Sequence, residues 1–181
     1  MMNVEGYWKV TQLDTHGQVV QETQWNKNQI QDSWAEIACR LFAGSLSGSG
    51  SGSPTNGFLY LAIGEGDASW DLSPPNKSRT ATQLQSEIDR ILINQETDIA
   101  YLDPDDETPS VIPTRMIELT TLVDYNRAVG SLREFGIVCG DATALANSGK
   151  LFNWISHAVR VKTALSQLQL KVRIKFKVYG E

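Results

Sequence analysis

Cys139 and His157 are the thiol and imidazole that come nearest to a nucleophile and its base in this sequence. Cys139 closes the apolar run Phe135-Gly136-Ile137-Val138-Cys139, a setting in which a free thiol packs as a small hydrophobe. The other histidine, His16, sits in a turn signal, so general acid-base chemistry has few candidates. No Ser/His/Asp signature, HExxH or Walker loop occurs. The expectation is a chain without catalytic residues.

Hard oxygens that suit calcium gather at Asp103, Asp105, Asp106 and Glu107. Pro104 and the missing glycine at the sixth position break the EF-hand pattern, so a solvated acidic loop over residues 103–109 is expected, with no metal. Gly64-Glu65-Gly66 has the start of a phosphate-cradling glycine loop, but the third glycine is missing. The segment Trp70-Asp71-Leu72-Ser73-Pro74-Pro75 just beyond it cannot open a helix beneath a pyrophosphate. A plain turn and no cofactor are expected there.

The strongest charged feature is a ladder of Lys171, Arg173, Lys175 and Lys177. It reads either as a solvated outer face whose lysines discourage edge-to-edge aggregation, or as an electrostatic dock. The dock would take an acidic protein surface, such as residues 103–107 of a neighbouring subunit. Phosphate backbone is the weaker choice, because the ladder lacks interleaved aromatic stacking residues. Of the five tryptophans, Trp34 and Trp154 fall on apolar stripes of predicted elements, while Trp8, Trp25 and Trp70 fall in a hairpin or a loop. Those three are expected as exposed rim anchors of an interface. Trp8, Trp25, Trp70 and the four ladder cations are the candidate site residues.

The ladder owes its geometry to strict alternation: Leu168, Leu170, Val172, Ile174, Phe176 and Val178 share one face of a strand and the cations share the other. Residues 7–13 and 18–25 form a predicted hairpin around Asp14-Thr15-His16-Gly17. Asn28 and Gln31 make a capping box ahead of Ile30, Trp34, Ile37 and Leu41, which predicts a helix ending at Gly44. A serine-glycine connector comes next, then a short buried strand over residues 58–63. Leu84 and Ile88 suggest a short helix within residues 80–90. Strands are expected over residues 91–94, 98–102, 111–123, 131–139, 151–161 and 168–178. The fold class is therefore mostly β, an antiparallel β-sandwich or open barrel with an N-terminal β-hairpin and one amphipathic helix. The expected organisation is a hairpin-and-helix unit at 1–45, a linker or loop at 46–57 and a sandwich-like domain at 58–181.

With 181 residues and 41% hydrophobic content the chain has enough apolar material for a substantial core. Its net charge of −5 repels nucleic acid and anionic membranes. Charge is nonetheless polarised: residues 160–177 carry six Lys or Arg and no acid, and residues 96–106 carry five acids and no base. No apolar run reaches the roughly 20 residues of a membrane span, and the first residues lack a signal peptide's pattern. Cys39 and Cys139 have no CxxC spacing, so neither a disulfide scaffold nor a zinc site is indicated.

Trp8-Lys9-Val10 with Asp14 and Gly17, then Leu-Phe-Ala-Gly at 41–44, then Leu-Tyr-Leu-Ala-Ile-Gly-Glu-Gly at 59–66 succeed one another in a telling order. Leu-Arg-Glu-Phe-Gly-Ile-Val-Cys-Gly-Asp-Ala-Thr at 132–143 and Asn-Ser-Gly-Lys-Leu-Phe-Asn-Trp-Ile-Ser-His at 147–157 continue it, before the alternating strand. From Gly6 to Val178 the chain resembles small structural proteins of tailed-phage tails and phage-tail-like contractile injection systems. The resemblance implies a non-enzymatic subunit in many symmetric copies, near a baseplate, tail-fibre attachment or neck. It implies tail, baseplate, fibre or neck proteins as partners, and a location in a virion tail or similar particle after synthesis in the bacterial cytoplasm. It carries over no active-site residue. A nucleic-acid-binding or a carbohydrate-binding β module is the alternative.

Overall fold

A computed structural model describes residues 3–30, 57–75, 79–112, 114 and 116–177. It is mostly β and antiparallel, with the sheet curled into a half-barrel, as the alternation predicts. The described strands are β1 (Asn3–Leu13), β2 (Val19–Glu22), β3 (Asn26–Ile30), β4 (Phe58–Gly64), β5 (Glu87–Leu92) and β6 (Ile99–Leu102). They continue with β7 (Pro109–Ser110), β8 (Met116–Val123), β9 (Gly130–Cys139), β10 (Lys150–Lys162) and β11 (Gln167–Lys177). Their order across the sheet is β5-β4-β9-β10-β3-β1-β11-β8-β6-β7, and β2 pairs with β1 off this path.

Alternation in β11 is realised as expected. Leu168, Leu170, Val172 and Ile174 are buried inside the curl, and Lys171, Arg173 and Lys175 stand on the other face. β1 pairs with β11 in register from Asn3↔Lys177 to Leu13↔Gln167, which brings Trp8 and Val10 into the same core as Phe135, Ile137 and Ile155. β1, the first strand of the hairpin expected in a separate N-terminal unit, is thus central to the sheet, while β2 lies off its path. That corrects the expected division between 1–45 and 58–181 for the described strands, because β1 cannot leave without exposing both β11 and this core.

β4, the second half of β9 and residues 151–156 of β10 are buried on both faces, which explains their nearly continuous apolar runs. A second cluster, made of Ala62, Trp70, Leu84, Val138, Leu151 and Trp154, covers the face turned away from the main core. The short 3-10 helix Ala68–Asp71 supplies Trp70 to it.

Two expected helices meet different outcomes. Asn28 lies in β3, opposite Gly6, so it caps no helix; the remainder of that stripe, residues 31–44, lies outside the described residues, as does the serine-glycine connector up to residue 56. Over residues 80–90 the spacing of Leu84 and Ile88 misleads, and residues 87–92 form β5 instead. A side chain has captured the amides a helix would need: the Gln85 and Ser86 N–H groups donate to the Glu134 carboxylate at 3.1 and 2.8 Å. The strand expected over residues 111–123 starts only at Met116, leaving Val111 and Ile112 exposed in a loop.

Candidate functional site

On the outer face, register rather than sequence proximity decides what the ladder touches. β11 lies between β1 and β8, with Arg173 opposite Tyr7 on one side and Glu118 on the other. Glu118 accepts from Lys171 Nζ at 2.8 Å and from Arg173 Nε at 2.7 Å. Arg173 also reaches Glu107 in the acidic loop and stacks its guanidinium over the Trp25 ring, 4.2 Å from the centroid. Lys175 donates to the Pro104 carbonyl of the same loop. Burial works to raise the Glu118 pKa, but the hydrogen bonds from Lys171 and Arg173 outweigh it and hold the carboxyl below its ordinary range. The complementary acidic surface expected on a neighbouring subunit is therefore present in the same chain. The side chain of Lys177 lies outside the described residues.

The acidic loop is shaped by its own carboxylates. Asp103 Oδ1 accepts from the Asp105 N–H at 2.8 Å, and Asp106 Oδ1 accepts from the Thr108 N–H at 3.0 Å. These are Asx-type turns, in which the acids hold the backbone that carries Glu107 to Arg173.

Trp8 and Trp70 correct the expectation of exposed rim anchors. Trp8 is 7% exposed within the main core, and Trp70 is 5% exposed. Trp70 meets Trp154 edge-on at 5.9 Å. Gly66 makes this possible: its φ is +57°, and a Cβ there would come within 2.4 Å of the Trp70 ring. Trp25 is half-buried beneath Arg173. Trp8, Trp70 and Trp154 are buried and offer no open ring face for a sugar, and Arg173 covers one face of Trp25.

Cys139 and His157 are not brought together. In the β9–β10 register Cys139 faces Lys150, whereas Ser156, next to His157, faces Glu134, five residues and roughly 16 Å further along β9. The Cys139 thiol is fully buried, donates to the Lys150 carbonyl at 3.5 Å, and is pushed up to about 12 by burial. His157 packs between Phe135, stacked at 4.9 Å, and Trp8 at 5.7 Å. Burial pushes its pKa down to about 4, the Ala158 carbonyl partly opposes this, and the positive charges of Arg160 and Arg133 add to it. Its Nε2 is buried without a partner among the described residues.

Sequence reasoning missed three polar anchors. Glu134 is fully buried and, besides its two amide donors, accepts from Trp154 Nε1 at 2.9 Å. Arg90 grips Glu87 through Nε at 2.5 Å and Nη2 at 2.8 Å, and donates to the Thr143 carbonyl at 2.6 Å, tying β5 to the β9–β10 loop. Lys162, also fully buried, donates to the carbonyls of Asp124 and Tyr125 at 2.8 and 2.9 Å. Glu134 and Arg90 were detectable as charged residues inside apolar runs; Lys162 was not, since strand ends carry lysine routinely.

Arg160 differs from the other arginines with resolved partners. Arg90, Arg127, Arg133 and Arg173 each hold a carboxylate: Glu87, Asp89, Asp71, and the pair Glu118 and Glu107. Among the described residues Arg160 makes one side-chain hydrogen bond, to the neutral Gln21 Oε1 at 2.9 Å. No family model matches the chain, and no curated protein matches it significantly.

Proposed function

We propose that this protein is a non-enzymatic structural subunit of a phage tail or phage-tail-like contractile injection system, docking neighbouring baseplate, fibre or neck subunits. The observation that carries the reading is the ordered resemblance from Gly6 to Val178. Its segments fall on β1, β4, β9, β10 and β11, so what is shared is the framework of the sheet rather than a reactive centre. The separation of Cys139 from His157 supports a framework role, as does the inward use of Trp8 and Trp70. A nucleic-acid module needs free cations, and Lys171 and Arg173 already hold Glu118. A carbohydrate module needs an open aromatic platform, which the buried Trp8, Trp70 and Trp154 do not offer.

The test is composition. Tail-like particles purified from cells expressing the chain together with its neighbouring genes are digested and quantified by mass spectrometry. A fixed copy ratio to the tube or sheath protein is expected. Particles complete without the chain would overturn the reading.

A further inference from the structure

β1 has two edges, and only one is uniformly filled. β11 runs along the first from end to end. The second is shared by β3 at Gly6, Tyr7 and Trp8, and by β2 at Thr11, Gln12 and Leu13. Among the described residues β3 then joins β10 through Asn153 and Trp154. β10 continues past this point to Lys162, yet among the described strands β2 pairs with β1 alone. Register shifts lie on both sides of the resulting gap, between Gln12 and Leu13 on β1 and between Ser156 and Arg160 on β10. The sheet is split there into a notch with β2 on one side and the second half of β10 on the other.

The notch has two chemical properties. First, its β2 side is a bare strand edge: all four residues are exposed, Val19 and Val20 are 60% and 62% exposed, and no proline or lysine blunts residues 19–22. The other sheet edges are guarded. β7 is two residues long and begins with Pro109, while Arg127 from the β8–β9 turn holds Asp89 of β5 at 2.6 Å and the Ala128 N–H bonds the same carboxylate at 3.0 Å. Second, the half-buried Arg160 crosses the notch to Gln21, and no carboxylate among the described residues neutralises its guanidinium. Burial pushes its pKa down with no acid offsetting it. Beside it the His157 Nε2 is buried without a partner among the described residues.

We infer that the notch between β2 and β10 is a docking site for an extended segment of a partner protein, which pairs with the free edge of β2 and sets an acidic side chain on Arg160. Main-chain hydrogen bonds to β2 supply the strand register, and a planar carboxylate matches the unused N–H donors of the guanidinium fork. Val19, Val20, Val159 and Val161 flank the two strands as exposed apolar contacts for alternate side chains of the incoming segment. The inference rests on the docking reading above only in requiring a protein partner. A peptide assay interrogates the notch itself, whereas particle composition interrogates the subunit role, so each can fail alone.

The probe is a capped five-residue peptide, threonine-valine-glutamate-valine-threonine, titrated into the isotope-labelled full chain and followed by NMR. Saturable shifts are expected at residues 19–22 and at Arg160 Nε. Replacing the peptide's glutamate by glutamine, or making Arg160→Gln, is expected to weaken binding about tenfold. Arg160→Lys, which keeps the charge and loses the fork, should fall between the two. A variant whose other resonances remain in place has kept its fold, so its loss of binding reads the notch. Absence of saturable shifts at millimolar peptide would overturn the proposal. So would equal binding of the glutamine peptide, saturation of Arg160 by acetate with no shift on β2, or a notch already closed by a second copy of the chain.

Discussion

The outer face of β11 and the notch beside β10 both present cations on strands, and they differ in what surrounds them. On β11 the cations of two successive outward positions converge on Glu118, and the acidic loop closes over the top through Glu107 and Pro104. At the notch a single half-buried arginine meets, among the described residues, only an amide. The larger concentration of charge is therefore the quieter surface. What marks a surface as available is the absence of a partner where burial has already raised the cost of having none.

The widest separation within one strand is between its two faces. Ile174 is fully buried in the main core, one residue before the half-buried Lys175. Ile174→Asp should cost several kcal/mol, comparable with the whole stability of a domain, and leave no cooperative melting transition. Lys175→Asp should melt within a few degrees of the parent. Similar thermal melts for both would show that the curl has no dry interior at β11.

Glu134 is the next largest. Its carboxylate satisfies two part-buried backbone amides and a buried indole, so Glu134→Ala leaves three donors without their acceptor and opens space beneath Trp154. A loss of about 3 kcal/mol in urea unfolding is expected. A loss below about 1 kcal/mol would mean that residues 84–86 are held by something other than this carboxylate.

His157 adds a pH signature. Its folded pKa lies near 4, below the ordinary 6.5, so between those values the unfolded imidazole binds a proton that the folded one refuses. Stability is accordingly full above about 6.5, falls as the pH drops toward 4 and levels below it, by at most about 3 kcal/mol and less where solvent screens the half-buried ring. Denaturant unfolding at stepped pH should show the slope in the parent and lose it in His157→Phe. An unchanged slope in that variant would assign the effect to other groups.

Legibility tracked contact distance. The β11 strand and its two faces were readable because alternation is local. Trp8 was also readable in principle: it shares parity with Val10, and both face the core. Its position in a hairpin was the weaker clue. The partners of the ladder were not readable, since Glu118 lies 53 residues before Lys171 and 55 before Arg173, and only the pairing of β8 with β11 joins them. Trp70 depended on Gly66 yielding space to its ring, and β5 on amides captured by Glu134. The notch lay furthest from the sequence, because its two sides, β2 and the second half of β10, are more than a hundred residues apart.

Stability separates Arg173 from Arg160 by the smallest margin. Arg173→Gln removes a guanidinium that serves Glu118, Glu107 and the Trp25 ring, and should cost about 1 kcal/mol because Lys171 still holds the buried Glu118, the share owed to the exposed Glu107 shrinking in high salt. Arg160→Gln removes a charge that burial opposes and no carboxylate offsets, while its amide can still bond Gln21 across the notch. Its effect on unfolding should lie within about 0.5 kcal/mol of zero, and relief of the half-buried charge favours the stabilising side. Chemical denaturation of the two variants at low and high salt makes the comparison. A loss for Arg160→Gln equal to that for Arg173→Gln would show that Arg160 is a structural strut of the isolated chain, and would return the notch to the ordinary business of holding β2 against β10.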